Sequence, residues 1–168
     1  MYRYFILLFI VGFLASCNYR EGLFEKKVDE HHVIKVTDYI SRTDGLHPNA
    51  VFQYANRYRT VYLLVLDTTK SDIQGGLDAY AAFAVQSLAS VDSSKAQIDT
   101  LKDVAVVNGM PARQYHIKLM LTGEETWFDL LVVEDKDRFY QILGWTISKR
   151  RSKYGKDIEA MVTSFTPK

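Results

Sequence analysis

The fold is decided by residues 106–121, which read VVNGMPARQYHIKLML. Asn108-Gly109 is the strongest short signal for a β-hairpin, because a type I′ turn needs positive φ at both of its central residues. The strand predicted after this turn, over 111–121, alternates between two faces. One face carries Tyr115, Ile117, Leu119 and Leu121, and the other carries Gln114, His116, Lys118 and Met120. The stretch therefore predicts an antiparallel hairpin with one apolar face.

Further strands extend this hairpin into an antiparallel meander. A strand over 96–107 leads into it, and turns at 122–125 and 135–137 lead into strands over 126–134 and 138–146. Strands of this length joined by tight turns are typical of antiparallel neighbours. Upstream, β-branched and apolar residues predict three more strands, over 32–39, 51–54 and 60–66.

Two amphipathic helices complete the predicted elements. The first, over about 77–89, is indicated by apolar residues at helical spacing: Leu77, Tyr80, Ala81, Ala84, Leu88 and Val91. The second begins near residue 148 or 152 and runs to 165, with Pro167 ending it. Its predicted buried stripe is Tyr154, Ile158, Met161, Val162 and Phe165. The sum is an α+β fold, an antiparallel sheet of six or seven strands flanked by helices.

Several motifs occur in a recognisable order along the chain. They are Pro48-Asn49 before a Tyr-rich strand, Val107-Asn108-Gly109 at the hairpin, Phe139-Tyr140 in a late strand, and a closing helix that ends in Thr163-Ser164-Phe165. Together they resemble the bacterial PsbP-like (DcrB/PsbP-type) lipoproteins over about residues 30–167. The resemblance implies an α/β/α sandwich with no established enzymatic activity. Relatives of the fold act as accessory proteins, such as photosystem subunits, nucleotide-exchange-type binders and chaperone-like adaptors.

The N-terminus has the parts of a secretory signal, with Arg3 before an apolar run over 5–14. The next residues complete Leu14-Ala15-Ser16-Cys17, which resembles the lipobox of bacterial lipoproteins, where the cysteine is acylated and the preceding bond is cut. A membrane span is one alternative, but residues 4–16 give roughly 20 Å of helix against a bilayer core of about 30 Å. The other alternative is a plain secretion signal with an incidental cysteine.

The expected organisation follows from this signal. We expect a lipoprotein signal peptide over 1–16, a lipidated Cys17 with a flexible tether over 17–28, and a single PsbP-like domain over 29–168. Cys17 is the only cysteine, so no internal disulfide can form, and acylation leaves no thiol for catalysis or metal binding. Of the 21 basic and 20 acidic residues only Arg3 lies in the signal, so the mature chain is balanced in charge. This balance argues against a nucleic-acid partner.

The sequence contains no catalytic motif, and we predict no catalytic residue, no metal site and no cofactor. His31 and His32 point to opposite faces of an extended segment, and we expect them to form a surface pair near the tether. Asp129 shares a strand face with Trp127 and Leu131. If it is buried, its pKa is raised and it could act as an acid or base. The alternative is a salt-bridge partner across the sheet.

A cluster of cations lies near the start of the last helix, where the helix macrodipole disfavours positive charge. Its members are Lys149, Arg150, Arg151, Lys153 and Lys156. One interpretation is contact with an anionic surface, either lipid headgroups or an acidic partner. The other is a solvated segment whose charges point outward.

The leading functional hypothesis is a non-catalytic, membrane-anchored lipoprotein of the bacterial cell envelope that binds a protein partner. One alternative is an envelope hydrolase or small-ligand-binding enzyme with an unrecognised carboxylate or histidine site. Another is a structural component of the envelope. Asn18-Tyr19-Arg20 has no aspartate directly after Cys17. By analogy with lipoprotein sorting, this favours the periplasmic side of an outer membrane.

Overall fold

The computed structural model describes residues 22–92, 96–101 and 105–168. The strands and helices within these ranges are, in chain order, β1 (Leu23–Lys27), β2 (His32–Thr37), β3 (Ser41–Arg42), β4 (Phe52–Asn56), β5 (Val61–Thr69), α1 (Gly76–Ala89), β6 (Gln97–Leu101), β7 (Val106–Val107), β8 (Met110–Leu121), β9 (Glu124–Glu134), β10 (Arg138–Ile147), α2 (Arg151–Val162) and β11 (Thr166–Pro167).

Seven of these strands form one antiparallel sheet in the order β3-β4-β5-β10-β9-β8-β6, and the short β7 pairs with the start of β8. The predicted hairpin is confirmed, because Asn108 and Gly109 have φ of 49° and 85° between the paired residues Val107 and Met110. Thr122 and Gly123 make the same kind of turn between β8 and β9, with φ of 51° and 85°.

The strand predicted over 96–107 is instead two strands. β6 pairs with residues 114–118 of β8, and β7 pairs with residues 110–111. Residues 102–104 of that prediction lie outside the described residues.

The first face of the large sheet packs against α1, as the alternation in β8 predicts. Ile117 and Leu119 are buried beneath the helix, with half-buried Tyr115 and Leu121 beside them. The helix contributes the buried side chains Leu77, Tyr80, Ala81 and Ala84. The predicted stripe is therefore correct through Leu88, which is half-buried against the same cluster, while Val91 is exposed beyond the end of the helix.

The second face packs against a layer made of α2 and a small sheet of order β1-β2-β11. Ile34 and Val36 of β2 share this core with Leu131 of β9. All five residues of the predicted stripe of the last helix are buried in it: Tyr154, Ile158, Met161, Val162 and Phe165. The α+β class and the sheet with helices on both faces are thus confirmed, and the small sheet is an addition to the second layer.

Two predictions about the ends of the domain are wrong. The flexible tether over 17–28 does not extend to residue 28, because Leu23–Lys27 pairs along its whole length with β2. Its five side chains are all exposed, so it offers no apolar face that a sequence pattern could detect. Pro167 does not end the last helix, which stops at Val162; it lies in β11, paired with His32. Among the described residues, no helix has the length and apolar character to cross a membrane.

Gly144 of β10 marks the place where α2 comes closest to the sheet. A Cβ atom there would lie 2.5 Å from Ile158 Cγ2 and 2.9 Å from Val162 Cγ2. Both neighbours are β-branched side chains on a helix, and such side chains have little rotamer freedom. Glycine at this position therefore sets the distance between α2 and the sheet.

Gly144→Ala is expected to lower the free energy of unfolding by roughly 1–3 kcal/mol, because the added methyl group overpacks the α2 interface. Urea denaturation measures this change. Gly155→Ala, on the facing helix, is the matched control. Its Cβ would meet Arg151 Cγ at 3.2 Å and Trp127 at 3.9 Å, and alanine gains up to about 1 kcal/mol of helix propensity there. An equal decrease in the free energy of unfolding of the two variants would contradict the close packing at Gly144.

Candidate functional site

The five cations near the start of α2, which were predicted to form one contact surface, lie in different surroundings. Lys149 forms an ion pair with Glu124 of β9. Arg151 is folded over the sheet, with its Cζ 4.6 Å from the centre of the Trp127 ring. Lys156 is exposed on α2. Only part of the predicted cluster is therefore directed at a common surface.

Arg150 and Lys153 line a groove together with the turn that connects β4 and β5. Arg150 Nη1 donates a hydrogen bond of 2.8 Å to the carbonyl oxygen of Tyr58 and so joins the turn to α2. The groove has a volume of about 440 Å³ and is lined by Tyr58, Arg59, Arg150, Lys153 and Tyr154. We refer to it as the basic groove. The connection between β4 and β5 is expected from the sequence, but its contact with the cations is not, because 92 positions separate Tyr58 from Arg150.

The β4–β5 turn is held by contacts with Tyr39, two residues after the end of β2. The backbone N–H of Arg59 donates to Asn56 Oδ1 at 2.8 Å, and Asn56 Nδ2 donates to the carbonyl oxygen of Tyr39 at 2.7 Å. The Arg59 guanidinium lies over the Tyr39 ring, 4.6 Å from its centre. The Tyr58 side chain at the tip is 91% exposed. The turn therefore presents an aromatic ring to solvent from a fixed position.

The electrostatic character of the basic groove is positive. Its lining contains three cations and no carboxylate. Asp157, four positions after Lys153 on α2, accepts a 2.8 Å hydrogen bond from the Tyr39 hydroxyl. Arg57 adds a further exposed cation in the β4–β5 turn. This arrangement suits a ligand that carries negative charge.

A second polar cluster lies beneath α2, centred on Asp129 of β9. Asp129 is 0% exposed and lies directly opposite His116 of β8. Its Oδ1 accepts a 2.7 Å hydrogen bond from Gln114 Nε2. His116 Nε2 lies 3.7 Å from the same oxygen and 3.6 Å from Glu159 Oε1 on α2. The cross-sheet partners of Asp129 are therefore an amide and an imidazole, and not a lysine or arginine.

Burial controls the protonation of this cluster. It raises the pKa of Asp129 to about 7, against the opposing effect of the Gln114 hydrogen bond. Burial also lowers the pKa of His116, while Glu159 acts to raise it. Asp129 Oδ2, His116 Nε2 and Trp127 Nε1 are buried without a hydrogen-bond partner. The condition stated for a raised pKa of Asp129, that its side chain is buried, is therefore met. The carboxyl can hold a proton near neutral pH, but a substrate reaches it only if α2 moves.

His32 is buried, which corrects the expectation of a surface histidine pair. Its Nδ1 lies 3.1 Å from Asp29 Oδ1, and its ring stacks on Phe165 at 5.0 Å between centres. Tyr140 of β10 donates a 3.0 Å hydrogen bond to Asp29 Oδ2. Partial burial works to raise the pKa of Asp29, but hydrogen bonds from His31 and His32 hold it below its usual value. This cluster joins the β1–β2 hairpin to the large sheet.

Cys17 lies outside the described residues, as does the signal peptide over 1–16. Within the part of the chain that the structure describes, no group of three or more His, Cys, Asp or Glu side chains is arranged to hold a metal ion.

Asp129→Asn is expected to remove a pH dependence from stability. The pKa of Asp129 rises from 3.8 to about 7 on folding. The contribution of protonated Asp129 to the free energy of unfolding is therefore fully present below about pH 4. It is lost as the pH rises to 7, which lowers the free energy of unfolding by up to about 4 kcal/mol. Urea denaturation across this interval should show that the free energy of unfolding of the variant, relative to that of the parent chain, increases with pH by that amount. Asp44→Asn, at an exposed turn residue, is the control. Parallel profiles for the parent chain and Asp129→Asn would contradict the assignment.

The fold has solved counterparts, although no family model and no curated protein matches the sequence. Cyanobacterial PsbP (CyanoP) from Synechocystis sp. PCC 6803 superposes with a TM-score of 0.61 at 12% identity, over 91% of this chain and 98% of that chain. LpqN, involved in cell envelope biogenesis of Mycobacterium tuberculosis, superposes with a TM-score of 0.56 at 11% identity, over 94% of this chain and 96% of that chain. At such identities the likeness is one of fold. The chain has a PsbP-like fold.

Proposed function

We propose that this chain is a lipid-anchored accessory protein of the bacterial cell envelope whose domain acts by binding. The observation that carries the proposal is Leu14-Ala15-Ser16-Cys17 at the end of an apolar run, followed from Leu23 onward by a folded domain. The PsbP-like fold, shared with an envelope-biogenesis protein, supports it at the level of architecture. We place the protein on the periplasmic side of an outer membrane, because no aspartate directly follows Cys17.

Binding fits the distribution of polar groups better than turnover does. Asp129, whose pKa lies near neutrality, is fully buried beneath α2. The basic groove, by contrast, is open to solvent and offers cations and aromatic rings. Cations and aromatic side chains are suited to holding an anionic partner in place.

The rival hypothesis is an envelope enzyme that uses Asp129 and His116 as an acid–base pair. It needs a substrate to displace α2 from the sheet, since Asp129 has no exposed surface. Turnover on a panel of esters, glycosides and peptides that is lost in both Asp129→Asn and His116→Ala would replace the binding proposal with this one. A purely structural envelope component remains distinguishable, because it would be abundant and would lack a specific partner.

Cys17→Ala is expected to abolish lipidation and membrane retention. The parent chain should incorporate an alkyne-tagged fatty acid, be cut before Cys17, and sediment with membranes after a high-salt wash. The variant should do none of these, since a multiply acylated cysteine supplies the anchor. Mass spectrometry of the N-terminal peptide and a density gradient that separates inner from outer membranes give the readouts.

Ser16→Ala is the matched control, because it keeps a small residue before Cys17 and should leave lipidation unchanged. Two results would overturn the proposal. One is a mature chain that carries no acyl group at Cys17. The other is a Cys17→Ala chain that stays in the membrane fraction as firmly as the parent.

A further inference from the structure

We infer that the basic groove docks onto the phosphate groups of anionic lipid headgroups in the membrane that holds the anchor, and so orients the domain on its surface. The inference rests on the proposed lipidation of Cys17. The cations that would contact the membrane are Arg59, Arg150 and Lys153, and this set differs from the five cations that the sequence predicts. Arg151 lies over Trp127 and Lys149 pairs with Glu124, so neither lines the groove, and the β4–β5 turn contributes Tyr58 and Arg59 to it.

The chemistry of the groove matches a phosphodiester. Arg59, Arg150 and Lys153 approach one concave surface from two elements that are distant in sequence. A guanidinium has five N–H donors, and the bond from Arg150 Nη1 to the Tyr58 carbonyl uses only one of them. The others can meet phosphate oxygens in the bidentate geometry that arginine favours. Lys153 lies over the Tyr154 ring, 5.2 Å from its centre, and adds a point charge beside them.

Tyr58 distinguishes a lipid surface from a soluble anion. Its ring is 91% exposed at the tip of a turn that hydrogen bonds hold in place. Tyrosine combines an apolar ring with a polar hydroxyl and is enriched at membrane–water interfaces for that reason. An exposed ring beside cations therefore matches the region where headgroups meet the acyl chains.

The chain enters the domain at the end of the molecule where the groove lies. Leu23, the first residue of β1, pairs with Thr37 at the end of β2. Two residues later Tyr39 packs beneath Arg59 and lies 5.8 Å from the Tyr154 ring that lines the groove. Six Cα–Cα steps separate Cys17 from Leu23, so the chain spans at most roughly 20 Å between them. A membrane that holds Cys17 is consequently the anionic surface nearest to the groove.

The test uses the acylated full-length chain reconstituted into two kinds of vesicle. One is phosphatidylcholine alone, and the other is an equal mixture of phosphatidylcholine and phosphatidylglycerol. Because acylation occupies the native cysteine, Ser152→Cys provides a single thiol for a fluorophore on an exposed position at the start of α2. Ser87→Cys provides a matched position on α1, across the large sheet. Quenching by acrylamide, a neutral aqueous quencher, reports the exposure of each label.

Docking predicts that the label at residue 152 is protected on the mixed vesicles only, and that the label at residue 87 is not protected on either. The two cations Arg150 and Lys153 near an anionic surface favour the docked state by about thirtyfold, and loss of one lowers the ratio about fivefold. Lys153→Gln should give this loss while keeping the bond between Arg150 and Tyr58. Lys136→Gln, an equal charge change at the exposed β9–β10 turn, should leave protection intact. Salt at 1 M should remove protection without releasing the protein, because screening then acts within about 3 Å.

The possible failures are separable. If the label at residue 152 is equally exposed on both vesicles while the protein stays bound, docking is wrong and the lipid anchor stands. If protection occurs on phosphatidylcholine alone, or equally at residue 87, recognition of anionic headgroups is wrong. If the purified chain carries no acyl group at Cys17, the proposed function fails. If acidic polyglutamate protects the label and the mixed vesicles do not, the groove is assigned to an acidic protein instead.

Discussion

The close contact of α2 with β10 at Gly144 is the constraint on which the second layer of the domain depends. A methyl group at this position would overlap Ile158 and Val162, so the distance between helix and sheet is set by a missing side chain. The contact places Ile158 and Val162 in the core, and it brings the first turn of α2 to the β4–β5 turn. The same approach covers Asp129. One packing distance thus determines both the buried polar cluster and the basic groove.

This arrangement carries an electrostatic cost that α2 itself partly offsets. A carboxylate without exposed surface is destabilised relative to its protonated form, and the pKa of Asp129 rises to about 7 as a result. Glu159 on α2 adds to that effect, whereas Arg151 on the same helix opposes it. Arg151 also packs its guanidinium on Trp127, which explains why this cation faces inward. The charged residues at the start of the helix therefore occupy two different environments. Arg151 lies over the buried cluster, and Arg150 and Lys153 line the groove.

Local patterns predicted the elements but not the contacts between distant ones. Asn108-Gly109 specifies its turn by itself, and the stripe of α1 needs only helical spacing. The burial of Asp129 could be suspected because it shares a face with Trp127 and Leu131. In contrast, β1 is exposed on every side chain and pairs with β2 through its backbone, so its sequence resembles a linker. The burial of His32 depends on Phe165, and the groove depends on a turn 92 positions from Arg150. No periodicity within one segment contains that information.

The proposed lipid anchor changes what the groove must achieve in docking. Residues 17–168 contain 20 basic and 20 acidic side chains, and this balance argues against a protein that finds a polyanion from solution. A tethered domain does not need to find its target, because the anchor converts docking into an intramolecular step at high effective concentration. Under that condition a few cations on one side are sufficient, and an excess of positive charge over the whole surface is unnecessary. Local charge with overall neutrality is therefore the pattern expected of a domain whose anionic partner is already within reach of its tether.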